Sequence, residues 1–309
     1  MCYTYNYYST RTGGKMAKRK KRKKKPILLT VVLLLLSALL LADLIAARVY
    51  MRHTEADFFT ALLQTTRLGG QYVVNLLSPA DQSIPVNPYS QSDYYKNGDY
   101  IQCAASEVSR TGVDVSSHQQ HIDWQQVADA GVEFAIVRVG YRGFTDGDIF
   151  PDTTAEENIR GALAAGLDVG VYFFSQATSV QEAKEEAWFV LDAIDGYSIT
   201  YPVMFDWESI TTEARTDEVT GPEMTEFARA FCAEIENAGY DAGVYFNQSD
   251  GYNSYDLRAL RSYDLWLAEY ADAQSFAYEV QLWQYTNQGA VPGIGTAVDL
   301  NLCYRDYKN

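Results

Sequence analysis

Phe134-Ala-Ile-Val-Arg138-Val-Gly140-Tyr141, a helical pattern over 155–165, and Val169-Gly-Val-Tyr172-Phe-Phe-Ser175 form the stretch that decides the fold. Both apolar runs are short and rich in Val, Ile, Phe and Tyr, and the segment between them is patterned at helical spacing. A strand–helix–strand unit of this kind places its strands side by side and parallel, with the helix as the crossover. The alternation extends in both directions. Strands are expected at 112–117, 202–208 and 242–247, and helices at 124–130, 180–194, 222–238 and, briefly, 257–261. Three more strands, 265–270, 280–285 and 297–302, follow with little room for helices. Eight near-continuously apolar strands predict an α/β protein with a parallel sheet covered on both faces and closed into an irregular, TIM-barrel-like β/α barrel. It has five βα units and three closing strands, and occupies 111–305. A doubly wound open sheet is the alternative, but no G-x-G-x-x-G follows an early strand. Ala130-Gly131, Ala165-Gly166 and Ala238-Gly239 recur where helices should end, as expected for Gly just past a helix C-terminus.

Upstream of the barrel the texture is different. The whole chain has 309 residues, 25 Lys+Arg and 40 Asp+Glu, for a formal net charge of −15. Residues 1–52 hold 12 of the basic residues and one acid, so they carry +11 and the remainder −26. An acidic major portion argues against a nucleic-acid partner, and 47% hydrophobic residues exclude a wholly disordered chain. Segment 1–25 ends in a cluster of Lys and Arg and precedes an apolar run at 26–47, interrupted only by Asp43 near its far end. That length can cross about 30 Å of hydrocarbon. The run is expected to be an uncleaved signal-anchor helix with a cytoplasmic N-terminus, the rest lying in the cell-wall space; a cleaved signal peptide is the alternative. Met16-Ala-Lys-Arg-Lys has the character of a natural start, which leaves open that 1–15 are not translated natively. Residues 48–110, with Pro79, Pro85, Pro88 and a polar Tyr-rich stretch, read as a stalk or linker.

In such a barrel, reacting groups lie at the C-terminal ends of strands. The fourth strand ends in Asp206-Trp207-Glu208. Side chains alternate along a strand, so the two acids share a side with Cα atoms about 6.5 Å apart, and Trp207 points the other way into packing. Asp114 on the first strand and Asp299 on the last are also acids in apolar contexts. Barrel closure makes those strands neighbours, so Asp114 and Asp299 should converge opposite the pair. Four carboxylates in one cleft do not ionise independently, and one proton should be retained near neutrality, as a general acid requires. The same set of oxygens also suits Ca²⁺ or Mg²⁺.

Thr111-Gly-Val-Asp114-Val-Ser-Ser-His-Gln, Ile122-Asp-Trp124, Phe134-Ala-Ile-Val-Arg138-Val-Gly140, Gly170-Val-Tyr172-Phe-Phe, Asp206-Trp-Glu208, Leu282-Trp283-Gln284-Tyr285, Val291-Pro-Gly-Ile-Gly and Val298-Asp299-Leu-Asn occur in this order over 111–304. Together they resemble glycoside hydrolase family 25, the lysozymes of the N-acetylmuramidase type. The resemblance implies cleavage of the β-1,4 bond between N-acetylmuramic acid and N-acetylglucosamine in peptidoglycan glycan strands, without a cofactor. It also implies that Glu208 is the proton donor, that Asp206 assists the substrate's N-acetyl group or stabilises the oxocarbenium-like state, and that Asp114 and Asp299 line and tune the site. A non-catalytic wall-binding or scaffold module with the same barrel is the rival from another class; a metal-dependent hydrolase comes third.

Tyr172, Tyr245, Trp266, Tyr270, Trp283 and Tyr285 fall at or near strand ends, where rings can stack on sugars or pack in the core. Tyr172 and Trp283 resemble the family's cleft positions most. Arg138 either offsets the acids or forms a structural ion pair. His118 and His121 lack the further His or Cys that zinc requires and read as loop residues. Cys232 is expected to be a buried free thiol. Cys103 and Cys303 bracket the barrel, and a disulfide between them is expected.

Overall fold

The computed structural model describes residues 84–307. The basic segment 1–25, the anchor 26–47 and residues 48–83 of the expected stalk lie outside the described residues. Among the described residues no helix is long and apolar enough to cross a membrane. The strands and α-helices of the described part begin with a hairpin, β1 (Tyr94–Asn97) and β2 (Tyr100–Cys103), followed by β3 (Arg110–Val115), α1 (Trp124–Asp129), β4 (Phe134–Arg142) and a short β5 (Ile149–Pro151). Then come α2 (Ala155–Ala164), β6 (Asp168–Ser175), α3 (Val180–Ala193), β7 (Val203–Trp207), α4 (Gly221–Asn237) and β8 (Ala242–Asn247). The described part ends with α5 (Gln248–Asn253), α6 (Leu257–Leu260), β9 (Asp264–Ala268), β10 (Leu282–Gly289) and β11 (Val298–Cys303).

Eight strands close into a barrel in the order β3-β11-β10-β9-β8-β7-β6-β4, and β4 pairs back onto β3. The sheet is not wholly parallel, because β11 runs antiparallel to both β10 and β3. Only 290–297 join β10 to β11, too few residues for a crossover of a dozen or more, so the chain must turn back on itself. This reversal brings the start of β11, rather than its end, to the mouth formed by the C-terminal ends of the parallel strands.

Alternation along each strand separates two apolar layers. Val113, Val115, Ala135, Val137, Val169, Val171, Val203, Phe205, Val244, Leu265, Leu267, Leu300 and Leu302 belong to the layer between barrel and helices. Phe134, Ile136, Tyr201, Met204, Tyr245, Trp266, Leu282 and Cys303 fill the barrel itself. A fully buried side chain of this size contributes about 1.5–3 kcal/mol, so both layers hold strand register firmly. The recurrent Ala-Gly pairs terminate α1, α2 and α4, with Gly131, Gly166 and Gly239 at φ +92°, +84° and +91°, a conformation that only Gly adopts without strain.

Two sequence expectations are corrected. Residues 84–110 are not a free stalk but are packed on the barrel. Two-stranded hairpins are marginal alone, and this one is held by its contacts. Tyr94 meets Trp283 edge-on at 5.2 Å, and its hydroxyl is 3.0 Å from that of Tyr304 and 3.1 Å from Gln274 Oε1. Asn87 Nδ2 donates to Gln274 and to the Phe276 carbonyl, both at 3.0 Å. Second, Cys103 and Cys303 are free thiols. Cys303 faces the barrel interior and Cys103 joins the outer layer, so the strand wall separates them. Cys232 is free and buried on α4.

Replacing Tyr94 by Ala is expected to cost about 3 kcal/mol in equilibrium urea unfolding and to open 84–110 to limited proteolysis. An unchanged cleavage rate there would show that the hairpin holds without it.

Candidate active site

The strand parity that packs the core also aims polar groups into the mouth. Asp114, Arg138, Tyr172, Asp206, Tyr245, Gln284, Asp299 and Asn301 all occupy inward positions near the same end of the barrel. Asp114 and Asp299 are direct Cα partners across the β3–β11 pairing. Asp206 lies opposite Tyr245 on β8, and Glu208 follows just beyond β7. The structure therefore brings the four acids together.

Their environments differ. Asp114 is 5% exposed and accepts from Asn301 Nδ2 at 2.7 Å and Gln284 Nε2 at 2.9 Å. Those donors are themselves oriented: Trp266 Nε1 donates to Asn301 Oδ1 at 2.8 Å, and the hydroxyls of Tyr245 and Tyr270 donate to Gln284 Oε1 at 3.2 and 3.1 Å. Burial and then the Asp299 charge push the Asp114 carboxyl well above its ordinary range, against the pull of the two amides. Asp206 is equally buried, and its Oδ1 has no hydrogen-bond partner among the described residues. Burial, then Glu208 and Asp114, push it well up, with Arg138 in partial opposition. Glu208 is half-buried, and no described residue hydrogen-bonds its carboxyl; burial, then Asp250 and Asp299, raise its proton affinity. Asp299 is raised to about 6 by burial.

Arg138 takes both expected roles. Its guanidinium pairs with Asp152 at 2.8 Å and reaches Ser117 Oγ at 3.1 Å, while its charge acts on Asp206 and Tyr172. The aromatics divide. Trp266 is buried beneath the acids, edge-on to Tyr245 at 4.8 Å and to Tyr172 at 6.0 Å. Tyr172 is half-buried and Tyr270 is 55% exposed, so these two rings are the ones open to a sugar face. Trp283 and Tyr285 do not reach the acids. They take the outward parity on β10; Trp283 packs under the hairpin with its indole N–H on the Glu269 carbonyl at 2.8 Å, and the Tyr285 hydroxyl accepts from the Ile101 amide at 3.4 Å. Trp207 packs outward as expected, donating to the Ala177 carbonyl at 3.1 Å. His121 pairs with Glu157 at 2.8 Å on the surface, and no group of metal-ligating side chains occurs among the described residues.

Four contributors lie outside the residues expected from sequence. Gln284 and Asn301, which hold Asp114, sit at inward parity, so strand alternation could have found them. Asp250 was hidden in a helix not expected. Gln176 carried no signal: it is fully buried, donates to the Glu208 main-chain carbonyl at 2.8 Å and accepts from Thr216 at 3.0 Å. It pins the segment just beyond β7 in which Glu208 lies. A barrel mouth in which two adjacent acids both bind protons more tightly than usual, one of them the partner-free Glu208, is equipped to hold a proton beside a leaving oxygen.

Residues 113–294 match the family model described as glycosyl hydrolases family 25. The chain belongs to glycosyl hydrolase family 25. An autolytic lysozyme of Clostridium acetobutylicum is 27% identical over 191 residues, which is 62% of this chain and 54% of that protein. Lysozyme M1 of Streptomyces globisporus is 25% identical over 201 residues, 62% of this chain and 66% of that one. The first of these relatives is thus about twice the length that this chain spans. Among solved structures, the modular autolysin LytC of Streptococcus pneumoniae superposes with a TM-score of 0.58 at 23% identity, covering 68% of this chain and 52% of that one. A family 25 glycosyl hydrolase of Bacillus anthracis does so with 0.55 at 21%, covering 71% and 96%. At such identities these likenesses carry the family 25 fold alone. Asp114, Asp206 and Glu208 fall inside the matched residues; Asp299 and the hairpin fall outside.

Carboxyls that bind protons more tightly folded than unfolded make the fold lose stability as they ionise, so stability should fall as pH rises from about 4 through 6. Asp206→Asn removes one such charge. It is expected to raise Tm by a few degrees, roughly 2–4 °C, at pH 7.5, the gain vanishing near pH 4 in thermal melts. A gain independent of pH would contradict the electrostatic origin.

Proposed function

We propose that this chain is a peptidoglycan hydrolase of the lysozyme type, an N-acetylmuramidase that cleaves the β-1,4 bond between N-acetylmuramic acid and N-acetylglucosamine. The observation that carries the reading is the Asp206-x-Glu208 pair at the barrel mouth, one acid with an unpartnered buried oxygen and the other with a raised proton affinity and no partner. The relatives named as lysozymes support it. Glu208 donates its proton to the glycosidic oxygen as the C–O bond breaks. The Asp206 carboxylate accepts the N–H of the 2-acetamido group, turning its carbonyl oxygen onto the anomeric carbon. That oxygen bonds to the carbon as the leaving group departs. Water, losing a proton to Glu208, then opens the ring with retention. Asp114, fixed by two amide donors, and Asp299 line the mouth beside the developing cation, and the Asp299 charge raises the proton affinity of Glu208. A wall-binding module with the same barrel has no use for four acids gathered in one mouth, two of them buried.

Glu208→Gln is expected to lower turnover at least about 100-fold with the fold retained and Tm no lower than that of the wild type at pH 7.5. Wild-type products should end in reducing muramic acid, and a reducing glucosamine would refute the bond assignment. Since the Asp299 charge raises Glu208, Asp299→Asn should move the alkaline limb of the pH–rate profile to lower pH.

The proposal extends to location: the 26–47 run holds the enzyme in the cell membrane with the barrel in the wall space, where tethering rather than charge keeps an acidic enzyme at an anionic wall. Protease added to intact cells should then degrade the barrel, and carbonate washing should leave the chain in the membrane. Recovery in the soluble fraction would refute this part.

A further inference from the structure

The mouth continues sideways into a groove of about 970 Å³ that contains none of the four acids. One wall is the hairpin, through Lys96, Asp99 and Ile101; the other is the C-terminal end of β8 and β9 with the loop beyond, through Asn247, Tyr270 and Asp272. Tyr270 joins groove to mouth. Its ring lines the groove, and its hydroxyl bonds the Gln284 amide that holds Asp114. The hairpin wall is fixed by the Tyr94 and Asn87 contacts described above, and it precedes the family-matched residues.

The lining is polar and carries both charges. Lys96 on the hairpin pairs with Asp272 on the opposite wall at 2.8 Å, both side chains being largely exposed at 64% and 82%. An exposed pair of this kind is worth only about 0–1 kcal/mol, so a ligand bearing charges of both signs can exchange with each half: a carboxylate onto Lys96, an ammonium onto Asp272 and Asp99. A neutral sugar offers neither. A short peptide with carboxylates and a free amine offers both, and peptidoglycan carries such a peptide on the lactyl group of each muramic acid.

We propose that this groove binds the peptide stem of the glycan strand seated in the mouth, making the enzyme selective for peptide-bearing over bare glycan. The inference rests on the muramidase reading above. Its test uses the full chain on two substrates, intact peptidoglycan and the same glycan stripped of its stems by an amidase. Wild type should show a kcat/KM at least about tenfold higher on the intact material, carried mainly by KM. Ser249→Trp, at an exposed lining position, and Asp272→Lys should each bring that ratio close to one. Free stem peptide should also bind the Glu208→Gln chain saturably, and Ser249→Trp introduced into that chain should abolish the binding. Equal rates of wild type on both substrates, or a ratio that neither variant alters, would overturn the groove proposal while leaving the hydrolase reading intact. No turnover by wild type on either substrate would overturn the hydrolase reading itself, and stem-peptide binding would then judge the groove alone.

Discussion

The antiparallel pairing of β11 with β3 is the contact on which the rest of the structure depends. It closes the barrel between its first and last strands, and it sets Asp299 directly opposite Asp114. Without it, β3 and β11 would be sheet edges with unpaired backbone groups, the inner layer of Phe134, Tyr201 and Trp266 would open to water, and the mouth would have no floor. Because β11 runs backwards, an acid near its start meets acids near the ends of parallel strands.

Closure also sets the electrostatic problem that the site resolves unevenly. Burying carboxylates is unfavourable unless each has donors or keeps its proton. Asp114 has donors: Asn301 and Gln284, each oriented by an aromatic N–H or O–H. Asp206 has Arg138 nearby but one oxygen without a partner. Glu208 has no donor to its carboxyl, and burial together with the charges of Asp250 and Asp299 raises its proton affinity. Of the three, the partner-free Glu208 is the most exposed, and there a substrate would supply the missing bond.

Beside this centre the hairpin forms one wall of the adjoining groove. The hairpin has four-residue strands and too little apolar surface to be stable alone. Tyr94, seated against Trp283, gives it the packing that it lacks. The same contact explains why Trp283, which resembles a cleft residue in sequence, turns out to be a support for the hairpin.

Much of the barrel was legible in the sequence, because burial on both faces leaves near-continuous apolar runs and Ala-Gly pairs mark helix ends. The sharing of one side by Asp206 and Glu208 also follows from the sequence alone, since alternation along a strand is a local property of the backbone. Applied to β10 and β11, the same alternation would have turned Trp283 and Tyr285 outward and Gln284 and Asn301 inward. What local pattern cannot carry is partnership across long separations. The reversal of β11, the docking of 84–110, the separation of Cys103 from Cys303 by the strand wall, and the hold of Gln176 on the Glu208 segment all depend on which distant surfaces meet. Chain direction and side-chain parity are fixed residue by residue, whereas pairing and burial are decided only when the closed barrel brings its ends together.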